Sequence, residues 1–153
     1  MTRILSRVLP IFPVLFRLIV GATFLVAGVE KISEPAFFAQ TVRAYQVLPI
    51  PLINPFAITV PWIEVAVGLF LVLGLWTRSS SLISLLLLLS FAVALGINIS
   101  QGADFSCGCF GLGGGSGSLW RALVLDSFLI AISIVLLFVS AMRFSLDRLF
   151  SRA

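Results

Sequence analysis

Four long apolar stretches decide most of what this chain can fold into. A helix rises about 1.5 Å per residue, so about 20 residues cross a hydrocarbon core about 30 Å thick. Segments of that length occur at Pro10–Val29, Phe56–Trp76, Ser80–Ile99 and Leu119–Met142. Of the 153 residues, 60% are hydrophobic and 10% charged, against about 25% charged in a soluble domain. Mean hydropathy is +1.19. Ten basic and six acidic side chains cannot cover so large an apolar interior, which excludes a soluble fold. The expected architecture is an all-α, integral membrane four-helix bundle in a single domain over 1–153, with the lipid bilayer as its principal surroundings.

The formal charge of +4 does not point to nucleic acid, because no run of adjacent Lys or Arg occurs and the cations flank apolar segments. Read as topology signals, Arg3, Arg7, Arg78, Arg143, Arg148 and Arg152 fall on one side and Lys31, Arg43 and Arg121 on the other. Both termini are then cytoplasmic, with a tight turn at Thr77-Arg78-Ser79 on the same side. The long connections, about 30–55 and 98–118, lie outside the cytoplasm. The first span is not a signal peptide, since it is too long, carries Arg17 and lacks an A-x-A cleavage site.

In the first outer connection, Phe37, Phe38, Thr41, Val42 and Tyr45 recur at helical spacing and predict a short interfacial helix. Pro49, Pro51 and Pro55 are expected to end it and to hold off the second span until Phe56. The second outer connection is rich in glycine and contains no lysine, so it is not a phosphate-binding loop.

That glycine-rich segment holds the only two cysteines, Cys107-Gly108-Cys109. The chain has no histidine, which removes the usual zinc, haem and triad chemistry, and no metal is expected. A disulfide between cysteines one residue apart closes a small, strained ring, and strain favours exchange over permanence. It also removes little entropy from the unfolded chain, so stapling is a weak reason for it. Cys107 and Cys109 are therefore the candidate catalytic residues. The competing reading makes them structural, paired within the chain or with a partner.

Ionisable residues inside the spans form the second constellation. Arg17, Gly21, Phe24, Gly28 and Lys31 share one face of the first span, where small residues admit a neighbouring helix. Glu64 and Gly68 share a face of the second. An Arg17–Glu64 pair across these spans is one expectation. Counting from the outer ends places Glu64 about 12 Å and Arg17 about 18 Å deep, which weighs against it. Asp126, about 10 Å deep, lies nearer the level of Glu64. Arg17, Lys31, Glu64, Asp126 and Tyr45 thus mark a candidate polar site in the bundle, either for a quinone head group or a proton, or as an ion network that fixes helix register. Trp62, Trp76 and Trp120 fit an aromatic belt near span ends, and Asn98 has no role beyond loop packing.

Taken in order, R-x3-G-x6-G-x2-K from Arg17 to Lys31, Ala44-Tyr45-Gln46-Val47-Leu48-Pro49, Glu64-x3-Gly68 with Gly74, Asn98-x3-Gly102, Cys107-Gly108-Cys109-Phe110-Gly111 and Trp120 resemble the DoxX-like membrane proteins, and within them the MauE family. The resemblance covers most of the chain. It implies a multi-pass protein of the bacterial inner membrane, tied to methylamine dehydrogenase maturation, with a thioredoxin-like periplasmic partner in disulfide handling. On that reading Cys107 and Cys109 exchange with the partner, and a quinone is the possible cofactor. The alternatives are a non-enzymatic scaffold that docks a periplasmic protein, and a small transporter with Glu64 and Asp126 on its path. Four spans without an internal repeat weigh against the transporter. Oligomeric state and the direction of electron flow are open at this stage.

Overall fold

The computed structural model describes residues 11–100 and 119–139. Among these residues all regular structure is helical: α1 (Ile11–Ser33), α2 (Pro35–Ala44), α3 (Ile50–Leu73), α4 (Thr77–Ser100) and α5 (Leu119–Val139). Phe12–Ser33, Ile50–Leu73, Thr77–Ser100 and Trp120–Phe138 are long and apolar enough to cross a bilayer, and the chain is a multi-pass membrane protein. Their outward faces carry Leu15, Val26, Ile58, Leu86, Val124 and Phe128, all exposed, as lipid requires.

Two spans start or end away from the positions expected. The first runs on to Ser33, because Lys31, which would ordinarily end a span, is buried against a partner. The second starts at Ile50, six residues before Phe56. Pro49 is its N-cap and Pro51 falls in the first turn, where backbone N–H groups have no intrahelical partner to lose. Pro55 lies inside the helix rather than ahead of it. Its carbonyl takes the Thr59 hydroxyl at 2.7 Å. α2 is the short helix expected in the first connection, with Phe38, Thr41 and Val42 buried.

The tight turn is also displaced, from 77–79 to Gly74-Leu75-Trp76. Gly74 takes a left-handed φ of 74° as the C-cap of α3, with Leu75 N donating to Phe70 O at 2.9 Å and Gly74 N to Leu71 O at 3.3 Å. This is the Schellman arrangement that satisfies the last carbonyls of a helix. Arg17 reinforces it from α1, its Nε donating to Leu71 O at 3.1 Å and its guanidinium lying against Gly74. A cation here also opposes the negative end of the α3 dipole.

α1 packs most closely on α3, and α4 on α5, with slighter contacts joining α3 to α4 and α1 to α5. α1 therefore faces α4, and α3 faces α5, across the diagonals. The α1–α3 approach is governed by glycine. A Cβ at Gly21 would lie 2.9 Å from the Gly68 carbonyl, one at Gly28 would lie 3.0 Å from the Pro61 carbonyl, and one at Gly68 would lie 2.8 Å from the Gly21 carbonyl. Backbone meets backbone, which is small-residue packing between membrane helices. The central core is Val20, Phe24, Val67, Leu71, Leu88, Leu129, Ile132 and Leu136. α2 closes one end: Phe38 and Val42 pack on Ile53 and Ala57, while Tyr45 clusters with Leu95, and Ala122 and Leu123 pack against that cluster.

Gly68→Val should prise α1 from α3, because the opposing atoms are backbone and cannot turn aside. The expected cost is about 1–3 kcal/mol or more, seen as a lower midpoint for heat-induced loss of monodisperse protein in detergent. Arg17→Met, which removes a charged donor from the end of α3, should cost about 1.5–3 kcal/mol in the same assay. A midpoint equal to that of the unsubstituted chain in either case contradicts the packing described.

Candidate functional site

The end of the α1–α3 seam nearest α2 holds a buried ion pair. The glycine contacts set its register: Gly28 lies against Pro61 and Val65, so Lys31, one turn further along α1, comes level with Glu64. Lys31 Nζ donates to Glu64 Oε1 at 2.6 Å and to Oε2 at 2.8 Å. Lys31 is 4% exposed and Glu64 2%. At that depth an isolated charge of either sign would be very costly, and two charge-assisted bonds to both carboxylate oxygens are the arrangement that makes it tolerable.

Aromatic rings complete the surroundings of the ammonium. Its nitrogen stands 4.8 Å from the centre of the Phe91 ring on α4 and 5.2 Å from that of Phe38 on α2. Both distances are within cation–π range. One ammonium thus touches four helices: its own, α3 through Glu64, α4 through Phe91 and α2 through Phe38. Beside it lies a cleft lined by Thr23, Phe24, Ala27, Lys31, Glu64, Leu88 and Phe91.

The expected Arg17–Glu64 pair is replaced by Lys31–Glu64. α3 begins well outside the end of α1, so Glu64 is level with the last turns of α1 and far from Arg17, which is held at the other end of α3 by Leu71 O. Among the described residues Glu64 is joined to Lys31 alone. Asp126 is fully buried on α5, across the diagonal from α3. Tyr45 is buried at the end of α2 against α4 and α5. Cys107 and Cys109 lie outside the described residues.

Several buried polar groups were missed, and Asn98, expected only to pack in a loop, lies within α4. Asn98 is 2% exposed and its Nδ2 donates to Ala94 O at 2.8 Å and Tyr45 O at 3.4 Å, tying α2 to the end of α4. On α4, Thr77, Ser80, Ser81 and Ser84 are all buried. Ser84 Oγ lies 3.5 Å from Ser133 Oγ on α5 and donates to Ser81 O at 2.9 Å. These hydroxyls let α4 and α5 approach closely while their hydrogen bonds close within the protein. The signal was available as a polar face at i, i+3, i+4 and i+7 on a helix whose other faces are leucine.

The family profile described as "Methylamine utilisation protein MauE" matches residues 9–139, a range that includes positions 107 and 109. The chain is 32% identical over 122 residues to the methylamine utilization protein MauE of Paracoccus denitrificans, covering 76% of this chain and 66% of that protein. It is 31% identical over 85 residues to that of Methylorubrum extorquens, covering 55% and 46%, and 27% identical over 93 residues to that of Methylophilus methylotrophus, covering 60% and 49%. The matched stretches take in roughly half to two thirds of those relatives' own length. No solved structure matches the chain. With most of its length matched by one family profile, the chain belongs to the MauE family.

Proposed function

We propose that this protein is a membrane thiol–disulfide exchange factor serving methylamine utilisation, with Cys107 and Cys109 as its reactive pair and a thioredoxin-like protein outside the cytoplasm as its partner. The observation that carries the reading is the pairing of family membership with a C-x-C motif between the fourth and fifth helices. Supporting it, Asn98 near the end of α4 donates to Tyr45 O, and Ala122 and Leu123 near the start of α5 pack against the cluster of Tyr45 and Leu95.

On this reading both termini are cytoplasmic, following the arginine distribution, and the C-x-C segment faces an oxidising compartment where disulfides persist. Exchange runs through a mixed disulfide, one thiolate attacking and one sulfur leaving. In the oxidising direction the partner's two thiols become a disulfide while the Cys107–Cys109 disulfide becomes two thiols. Reoxidation then gives two electrons and two protons to a membrane acceptor of quinone type, which leaves as the quinol. A single cysteine pair must serve both partner and acceptor.

Cys107→Ser and Cys109→Ser variants, expressed with the native complement of exported proteins and quenched in acid, should each be tested for a reductant-sensitive adduct. One of the two should trap a thioredoxin-like protein as a mixed disulfide, and neither should support maturation of the methylamine-oxidising enzyme. If both variants support maturation in full and trap nothing, the cysteines are structural and the protein is a docking scaffold.

A further inference from the structure

Thiol exchange makes no use of Asp126, which is fully buried on α5. Its level in the bundle follows from the contacts between α4 and α5. Ser84 Oγ lies 3.5 Å from Ser133 Oγ, and Ala122 and Leu123 pack where Leu95 clusters, so the two helices run antiparallel. Phe91 comes seven residues after Ser84, and Asp126 seven before Ser133, which sets Asp126 level with Phe91. The Phe91 ring stands 4.8 Å from Lys31 Nζ, and Lys31 holds Glu64. One layer of the bundle thus contains Lys31 from α1, Glu64 from α3 and Asp126 from α5, all buried.

This layer has one cation and two carboxyl groups, and the other basic residues do not alter that count. Arg17 is held at the opposite end of α3, Arg43, Arg78 and Arg121 are exposed, and residues 101–118 include no Lys or Arg. The remaining arginines precede α1 or follow α5, at helix ends that lie on the Arg17 side of the bundle. Tyr45, at the end of α2, brings a phenol near the layer through the cluster it forms with Leu95. Glu30 is only half-buried, and α4 contributes Leu88, Phe91 and Leu95 around this level.

Hydrogen-bond donors ease a buried carboxylate but do not cancel its charge. Two carboxylates with one ammonium would leave a net negative charge inside the membrane, at high cost. The set is neutral when its two carboxyl groups keep one proton between them, as closely placed carboxyl pairs do. Glu64 is the ionised member, because the ammonium donates to both of its oxygens, at 2.6 and 2.8 Å. We infer that the layer of Lys31, Glu64 and Asp126 is a proton-binding site within the membrane, with Asp126 as the carboxyl group that holds the proton. No electrons move in this step: a carboxylate gains a proton and becomes a carboxylic acid. Oxidation of a dithiol frees two protons along with two electrons, so such a site has a use in thiol exchange, but it does not depend on that reading.

The test is infrared absorption of the full chain at neutral pH, in bilayers of ether-linked lipid, which have no ester carbonyl to mask the signal. One carboxylic-acid band per chain is expected, moving in heavy water and moving again when the aspartate carboxyl carbons carry a heavy isotope. Asp126→Asn, which keeps the Lys31–Glu64 pair, should abolish the band. Lys31→Met should double it, since both carboxyl groups then need a proton, and Lys31→Met/Glu64→Gln should return it to one. An unsubstituted chain without the band overturns the proposal, as does a band that persists in a folded Asp126→Asn chain or that Lys31→Met leaves unchanged in a folded chain. Should the variants fail to fold, the isotope label on the unsubstituted chain decides: a band that ignores the aspartate label overturns the site. The mixed-disulfide result at Cys107 and Cys109 stands or falls without reference to any of these outcomes, so the two readings fail separately.

Discussion

The rest of the architecture depends on the burial of one lysine and one glutamate against each other inside a membrane bundle. Neither charge is acceptable alone at 4% and 2% exposure, and their pairing requires α1 and α3 to meet in a single register. Gly21, Gly28 and Gly68 make that register reachable, because a Cβ at any of them would run into the facing backbone carbonyl. The ion pair and the glycines are therefore two halves of one constraint. The glycines permit several close alignments of smooth helices, and the charges select the one in which Lys31 and Glu64 coincide. This is the best-attested use of buried ionic groups, specificity of register rather than net stability.

From that point the remaining elements follow outward. With Lys31 at the end of α1, the turn into α2 brings Phe38 over the ammonium, so α2 roofs the pair instead of lying free on the membrane surface. α3, starting at Ile50, overshoots α1 and offers Ile53 and Ala57 as the bed for α2. At the far end Arg17 closes α3 and so supports the Gly74 turn that launches α4. The α4–α5 half is held by other means: leucines toward the core and serine hydroxyls where the helices are closest. The site that results is polar at one point, aromatic around it and apolar elsewhere.

Much of this was legible in the residues. Hydropathy alone located four spans, and the 3.6-residue spacing of Phe38, Thr41, Val42 and Tyr45 located α2. The small-residue stripe on α1 identified the face that meets α3. What could not be read was the choice between two cations on that stripe. Arg17 and Lys31 both face α3, and the partner of Glu64 depends on where α3 begins. Proline obscured that start, because Pro51 and Pro55 resemble helix breakers in a sequence yet sit within the first turns of α3, where one costs nothing and the other a single bond. Counting depth from Ile50 instead of Phe56 moves the origin out by six residues, about 9 Å, and shows α3 overhanging α1. The buried serines were missed for a different reason: in a membrane helix polarity turns inward, and the shared face of Thr77, Ser80, Ser81 and Ser84 is hidden when the span is taken to start at Ser80 and Thr77 is left in the turn.

The claim that Lys31 and Glu64 act as one unit is tested most directly by a double-mutant cycle on thermal stability in lipid, using Lys31→Met, Glu64→Gln and the two combined. Each single change leaves a buried group without its partner and should cost about 3–5 kcal/mol where the remaining group is charged. The combined variant should be much closer to the unsubstituted chain than the sum of the two, a coupling well above about 1 kcal/mol. Strict additivity would contradict the account, because it would mean that the two side chains contribute to the fold independently of each other.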